Sequence, residues 1–143
     1  MKKKLHFLIP ILVVSIFSSI NVFASDDVIT EKVNTYLKAM KESDTKVFDN
    51  LISDEAEFIN MNLIINSTEI RNKEDFLSIV KKKNLNSFAK NITIKIIDVQ
   101  DAMAVALVEY QNDRIIKKEY LTLVNKDNNW EIMNSVCSLS KKW

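Results

Sequence analysis

The sequence predicts an α+β fold, and three observations carry that expectation. Apolar residues recur at helical spacing through the first part of the chain that follows residue 24. The last fifty residues switch to period-two alternation, the pattern of half-buried strands. No linker, repeat or low-complexity tract separates the two halves, so the helices belong on one face of a curved, mainly antiparallel sheet. A length of 143 residues fits one domain.

The elements follow in order. Lys2, Lys3 and Lys4 precede an apolar stretch from Leu5 to Phe17, and Val22 and Ala24 stand at the −3 and −1 positions of a cleavage site. The apolar core falls short of the ~20 residues that cross a bilayer. Residues 1–24 are therefore expected to be a bacterial-type signal peptide, leaving a single domain over 25–143 that is exported to the periplasm or medium. From Asp26 to Met40, Val33, Tyr36, Leu37 and Met40 form one stripe, with Asp26 and Asp27 in the first turn. After a break at Glu42-Ser43-Asp44, Asp44 caps a short helix that buries Val47, Phe48, Leu51 and Ile52 and stops at Ser53-Asp54-Glu55. Glu57–Ile65 is expected as one or two short strands, with a turn at Asn66-Ser67-Thr68. Asn72 caps a third helix, Lys73–Lys82, burying Phe76, Leu77, Ile79 and Val80 and ending in the solvated cluster Lys81-Lys82-Lys83.

Ile92, Ile94 and Ile96 mark the next strand. Ala102–Val108 carries no polar residue on either face and is expected to be central and covered on both sides. Ile115–Val124 and Trp130–Ser138 complete a four-strand meander. The chain contains no Gly, so its turns rest on Asn and Asp, the side chains most tolerant of left-handed backbone.

Composition excludes whole classes of chemistry. One Cys permits neither a disulfide framework nor a Cys-based zinc cluster, and the absence of Gly removes phosphate-cradling loops and the dinucleotide fingerprint. His6 and Pro10 lie in the signal segment, so the mature chain has no imidazole for a Ser-His-Asp or Cys-His system or for a His-ligated metal. Losing Lys2–Lys4 leaves 17 basic residues against 19 acidic, a net charge of −2. That balance offers no footprint for nucleic acid, or for a membrane once the signal is cleaved. No metal or cofactor is expected. Cys137, in an alternating apolar run, is expected to be a buried structural thiol, and Trp130 a core anchor.

The order helix, helix, hairpin, helix, meander resembles the nuclear transport factor 2-like superfamily. The similarity is greatest to its exported, lumazine-binding-like branch, related to the SnoaL-like and ketosteroid isomerase-like groups. It is carried by Tyr36-Leu37 before Ser43-Asp44, by Asp54-Glu55-Ala56, by Ala102-Met103-Ala104-Val105, by Glu119-Tyr120-Leu121-Thr122-Leu123-Val124 and by Trp130-Glu131-Ile132-Met133-Asn134. The resemblance implies a cone whose interior can hold a small molecule. In the isomerases a helix Tyr and a protonated late-strand acid form an oxyanion hole while a separate Asp shuttles the proton; here Tyr36 and Glu119 match the first two. The base position falls on Asn60, whose amide cannot accept and return a proton at neutral pH. Asp54, Glu55 and Glu57 are placed by the resemblance at the rim.

The expectation that follows is a small non-catalytic domain binding an apolar or aromatic molecule, with Tyr36, Asn60, Glu119, Met40 and Phe58 as ligand-binding residues and no catalytic residue assigned. Two alternatives stand beside it. One is an isomerase- or dehydratase-type enzyme using Tyr36 and Glu119. The other is a ligand-free interaction module, a homodimer through the outer sheet face with Tyr110 and Tyr120 as anchors. Each residue also has an ordinary reading: Tyr36 as a core aromatic, Glu119 as a solvated or lysine-paired carboxylate, Asn60 as a satisfied strand amide.

Overall fold

A computed structural model describes residues 26–82 and 85–142. The expected signal segment 1–24, with His6 and Pro10, lies outside the described residues, as does Lys83. Three helices, α1 (Asp26–Glu42), α2 (Thr45–Leu51) and α3 (Lys73–Lys82), pack on one face of a six-stranded sheet. Its strands are β1 (Ile52–Asn62), β2 (Ser67–Asn72), β3 (Asn91–Val99), β4 (Met103–Gln111), β5 (Ile115–Lys126) and β6 (Asn129–Lys141). The spatial order is β2-β1-β6-β5-β4-β3, antiparallel throughout except where β1 runs parallel to β6. The fold class is the expected α+β.

Local chemistry sets the boundaries. Ser43 takes a left-handed backbone (φ 55°) beyond α1, and the Asp44 amide reaches back to the Ala39 carbonyl at 2.9 Å. This closes α1 as a Gly would, without a Gly. Asp44 then caps the N-terminus of the next helix, its Oδ1 accepting the Lys46 and Val47 amides at 3.1 Å. Asn72 Oδ1 does the same for α3, accepting the Asp75 amide at 2.9 Å. Asp127 and Asn128, both at positive φ (51° and 64°), form the two-residue link of the β5–β6 hairpin, a conformation Asn and Asp reach at low strain.

Three sequence expectations are corrected here. No break follows α2: β1 starts at once at Ile52, and Ser53-Asp54-Glu55 lie within the strand, across a register shift between Ile52 and Glu57. The β1–β2 turn is Leu63–Asn66, beginning three residues earlier than Asn66-Ser67-Thr68. Asn62 Oδ1 accepts the Ile64 amide at 3.0 Å and Asn66 sits at φ 52°, so the two asparagines hold the turn and leave Leu63, Ile64 and Ile65 exposed at its tip. Finally, Ala102–Val108 is not central. β4 lies one strand from the edge, with Ala104, Ala106 and Val108 against the helices and Met103 46% exposed on the other face. On that face Leu107, 9% exposed, stands in register with Tyr120 of β5 and Lys95 of β3.

The core joins Ile29, Val33, Tyr36, Ala39 and Met40 of α1 to Phe48, Val80, Phe58 and the inward residues of β4, β5 and β6. At α2 and α3 the packing is aromatic: Tyr36–Phe48 (5.0 Å between centroids), Phe48–Phe76 (5.8 Å) and a stacked Phe58–Phe76 pair at 3.8 Å.

Candidate functional site

On β5 the alternation that buries Leu121 and Leu123 also turns Glu119 and Lys117 toward the helices. Glu119 is 2% exposed. Such a carboxylate survives only if its lone pairs are answered, and here they are. Tyr36 Oη donates to Oε1 at 2.8 Å, Ser135 Oγ to Oε1 at 2.7 Å and Tyr110 Oη to Oε2 at 2.6 Å. The Lys117 ammonium stands 3.7 Å from Oε2, 4.9 Å from the centroid of the Tyr110 ring, and donates to Asn86 Oδ1 at 3.1 Å.

The electrostatics follow from this. Burial pushes the Glu119 carboxyl up, but Lys117 and the three hydroxyl donors outweigh it and hold the group below the usual carboxylate range. Burial, followed by the Glu119 charge, drives the Tyr36 and Tyr110 phenols well above theirs. All three hydroxyls therefore keep their protons and direct them at one carboxylate.

Beside this cluster lies a cavity of about 210 Å³. Met40, Phe58, Phe76, Ile79 and Leu85 give it an apolar wall; Asn60, Ser135, Cys137, Lys117 and Glu119 give it a polar floor, and Glu69 and Arg71, an ion pair on β2, stand at the same cavity. Asn60 Oδ1 accepts from the Cys137 thiol at 3.1 Å. Burial is the main cause that lifts that thiol to about 11, so it stays protonated and unreactive at neutral pH. Asn86, at φ 65°, bridges the rim: its amide nitrogen contacts Met40 Sδ at 2.7 Å while its oxygen holds Lys117. A larger groove of about 550 Å³, lined also by Glu42 and Tyr110, lies beyond Met40, Leu85 and Asn86 and does not include Glu119.

Of the five residues singled out from sequence, four line this cavity: Met40, Phe58, Asn60 and Glu119. Tyr36 does not. It is wholly buried, with its ring on Phe48 and its hydroxyl on Glu119, so it supports the floor from behind. Glu119 is not solvated, but it is lysine-paired: Lys117 stands 3.7 Å from it, while Lys118 pairs with Glu109 at 3.5 Å. Tyr110 is corrected as an outer-face anchor: it is 1% exposed and points to Glu119, whereas Tyr120 is 45% exposed on the outer face. Asp54 and Glu55 stand exposed, away from the cavity floor.

Sequence reasoning missed Lys117, Ser135, Arg71, Phe76 and Asn86. For Lys117 the signal was available, since it shares the parity of Leu121 and Leu123. Arg71 needed the register with Phe58 across β1 and β2, and Asn86 lies in a connection without periodicity. Among the described residues no group of three or more His, Cys, Asp or Glu is placed to hold a metal ion, and no helix is long and apolar enough to cross a membrane.

Residues 24–138 match the family described as "Putative lumazine-binding". Among solved structures, the chain is similar to an NTF2-like protein of Silicibacter pomeroyi (16% identity, TM-score 0.62, covering 80% of this chain and 92% of that one). It is similar as well to one of Cytophaga hutchinsonii (18%, 0.61, 80% and 98%) and one of Methylobacillus flagellatus (23%, 0.61, 82% and 95%). At these identities the likeness is one of fold. No curated protein matches the chain.

Proposed function

The chain belongs to the lumazine-binding family within the NTF2-like superfamily, and from that premise we propose that it is a small exported, non-catalytic domain holding an apolar or aromatic molecule in the cavity beneath α1 and α3. The observation that carries the reading is the pairing of an apolar, aromatic wall with a polar floor whose charges are already balanced, a combination typical of binding pockets. The enzyme alternative needs Tyr36 and a protonated Glu119 as donors to substrate. In the geometry above Tyr36 donates to Glu119 itself, and Glu119 is held as a carboxylate, so neither has a proton to offer.

Thermal unfolding against a panel of small aromatic compounds, lumazine included, tests the binding role. A true ligand at about 100 times its Kd adds roughly 2.7 kcal/mol of stability and raises Tm by several degrees. Ile79→Trp, which fills the cavity from α3, abolishes that rise. A panel without a single shift would rule out a binding role for the cavity. Export is part of the same proposal: the intact mass of protein recovered outside the cytoplasm should begin at Ser25.

One observation supports a homodimer as a second property. Ile70, Ile59, Val136, Tyr120 and Leu107 stand in register across five strands, on the sheet face away from the helices. Tyr120→Glu, at the exposed aromatic of that row, should convert a dimer to a monomer in light scattering; a wild-type monomer at high concentration contradicts it.

A further inference from the structure

The hydrogen-bonding capacity left over at the cavity points to a class of ligand. We infer, on the footing of the binding role proposed above, that the ligand is an uncharged flat molecule carrying hydrogen-bond acceptors along one edge, received by the amide of Asn60 and the ammonium of Lys117.

A hydroxyl has one proton to give. Those of Tyr36, Tyr110 and Ser135 all go to Glu119. The oxygen of Asn60 takes the Cys137 thiol, while among the described residues its amide nitrogen has no protein partner. Lys117 has three N–H groups, with Asn86 and Glu119 as its polar neighbours, and Arg71 engages Glu69 through one nitrogen of its fork. What the floor can still offer is therefore mainly N–H, and an acceptor edge on the ligand is its complement. A donor edge would find the carboxylate of Glu119 already engaged by three hydroxyls.

Charge sets the second condition. Lys117 stands against Glu119 and Arg71 against Glu69, so the cavity is neutral overall. An ionised ligand entering it would lose its hydration without a net countercharge, and an uncharged one would not. Shape sets the third. The Phe58–Phe76 stack with Met40, Ile79 and Leu85 suits a flat apolar body, and about 210 Å³ is the liquid volume of roughly seven waters, at ~30 Å³ each. That is room for one ring or two small fused ones.

Four single-ring probes of similar size separate these conditions: acetophenone, ethylbenzene, benzoate and benzylammonium, each titrated into the mature protein and followed by its backbone and side-chain amide resonances. Acetophenone should bind about tenfold tighter than the other three, the effect of one good hydrogen bond to a buried donor. Asn60→Leu should bring acetophenone down to the level of ethylbenzene. Asn60→Asp keeps the size and the bond to Cys137 but exchanges amide protons for a carboxylate, and should move the preference to benzylammonium. Benzoate or benzylammonium binding best to the wild type, or ethylbenzene equalling acetophenone there, overturns the inference while leaving the pocket in place. Silence from all four probes overturns the inference and the binding role together.

Discussion

Lys73 and Glu119 are both charged side chains drawn away from solvent, yet their surroundings leave different things over. Lys73 opens α3, where the helix dipole disfavours a cation. It is held by the Asp49 carbonyl at 3.0 Å, Asp49 Oδ1 at 2.9 Å and Asp54 Oδ1 at 2.8 Å, tying α2, β1 and α3 together. Both carboxylates are exposed, so water shares the work. Burial alone would lower the Lys73 ammonium, but the hydrogen bonds to Asp54 and Asp49 carry it above its ordinary value, and Lys73 in turn holds Asp54 below its own. Glu119 has no such help. Its partners are three neutral hydroxyls and one cation, all inside, and the cavity lies on its open side. The first cluster is a staple; the second is a floor. Satisfying a buried carboxylate with hydroxyls leaves nearby nitrogens unused, which is what gives the cavity its donor character.

Removing the centre of the floor should be the largest perturbation. Glu119→Ala strands three hydroxyls and an ammonium in the interior and is expected to cost about 3–5 kcal/mol in urea unfolding. Tyr36→Phe removes one donor to that charge and should cost about 1.5–3 kcal/mol, while sparing the cavity wall. The acid limb separates the clusters further. The folded value of Glu119 lies below its unfolded one, about 4.3, so its contribution is present above that range and is lost as pH falls through the folded value. Tyr36→Phe should shift the acid unfolding midpoint upward. The reverse sign holds for Cys137: its thiol at about 11 exceeds the unfolded value, about 8.5, so stability declines as pH rises between them, and Cys137→Ala should flatten that slope. The smallest effect belongs to the staple. Lys73→Met should lose less than Tyr36→Phe, and salt should weaken the wild-type staple and leave the floor unmoved.

The fold was legible because periodicity and capping speak locally. Asp44, Asn72 and the Asn- and Asp-based turns sit where a chain without Gly needs them, and Ser43, Asn66, Asn86, Asp127 and Asn128 all take positive φ. What was not legible is register. Leu63-Ile64-Ile65 has the composition of a strand and forms a turn, because the hydrogen bond from Ile64 to Asn62 and the backbone of Asn66 decide the matter. Ala102–Val108 has the composition of a central strand and lies near an edge, since strand order depends on where the β1–β2 hairpin docks. The site was half legible for the same reason. Parity places Glu119 inside, but only the pairing of three strands and one helix reveals that Tyr36, Tyr110 and Ser135 converge on it, and that Tyr36 thereby leaves the cavity wall.

If the floor beside Glu119 receives a ligand, an amide-resonance titration of the mature protein with any compound that raises Tm will locate it there. Saturable shifts are expected at the Asn60 side-chain amide and at Ser135 and Cys137, absent in Ile79→Trp. Shifts confined to the outer-face row around Tyr120, or none at all on compounds that stabilise the protein, would contradict that placement.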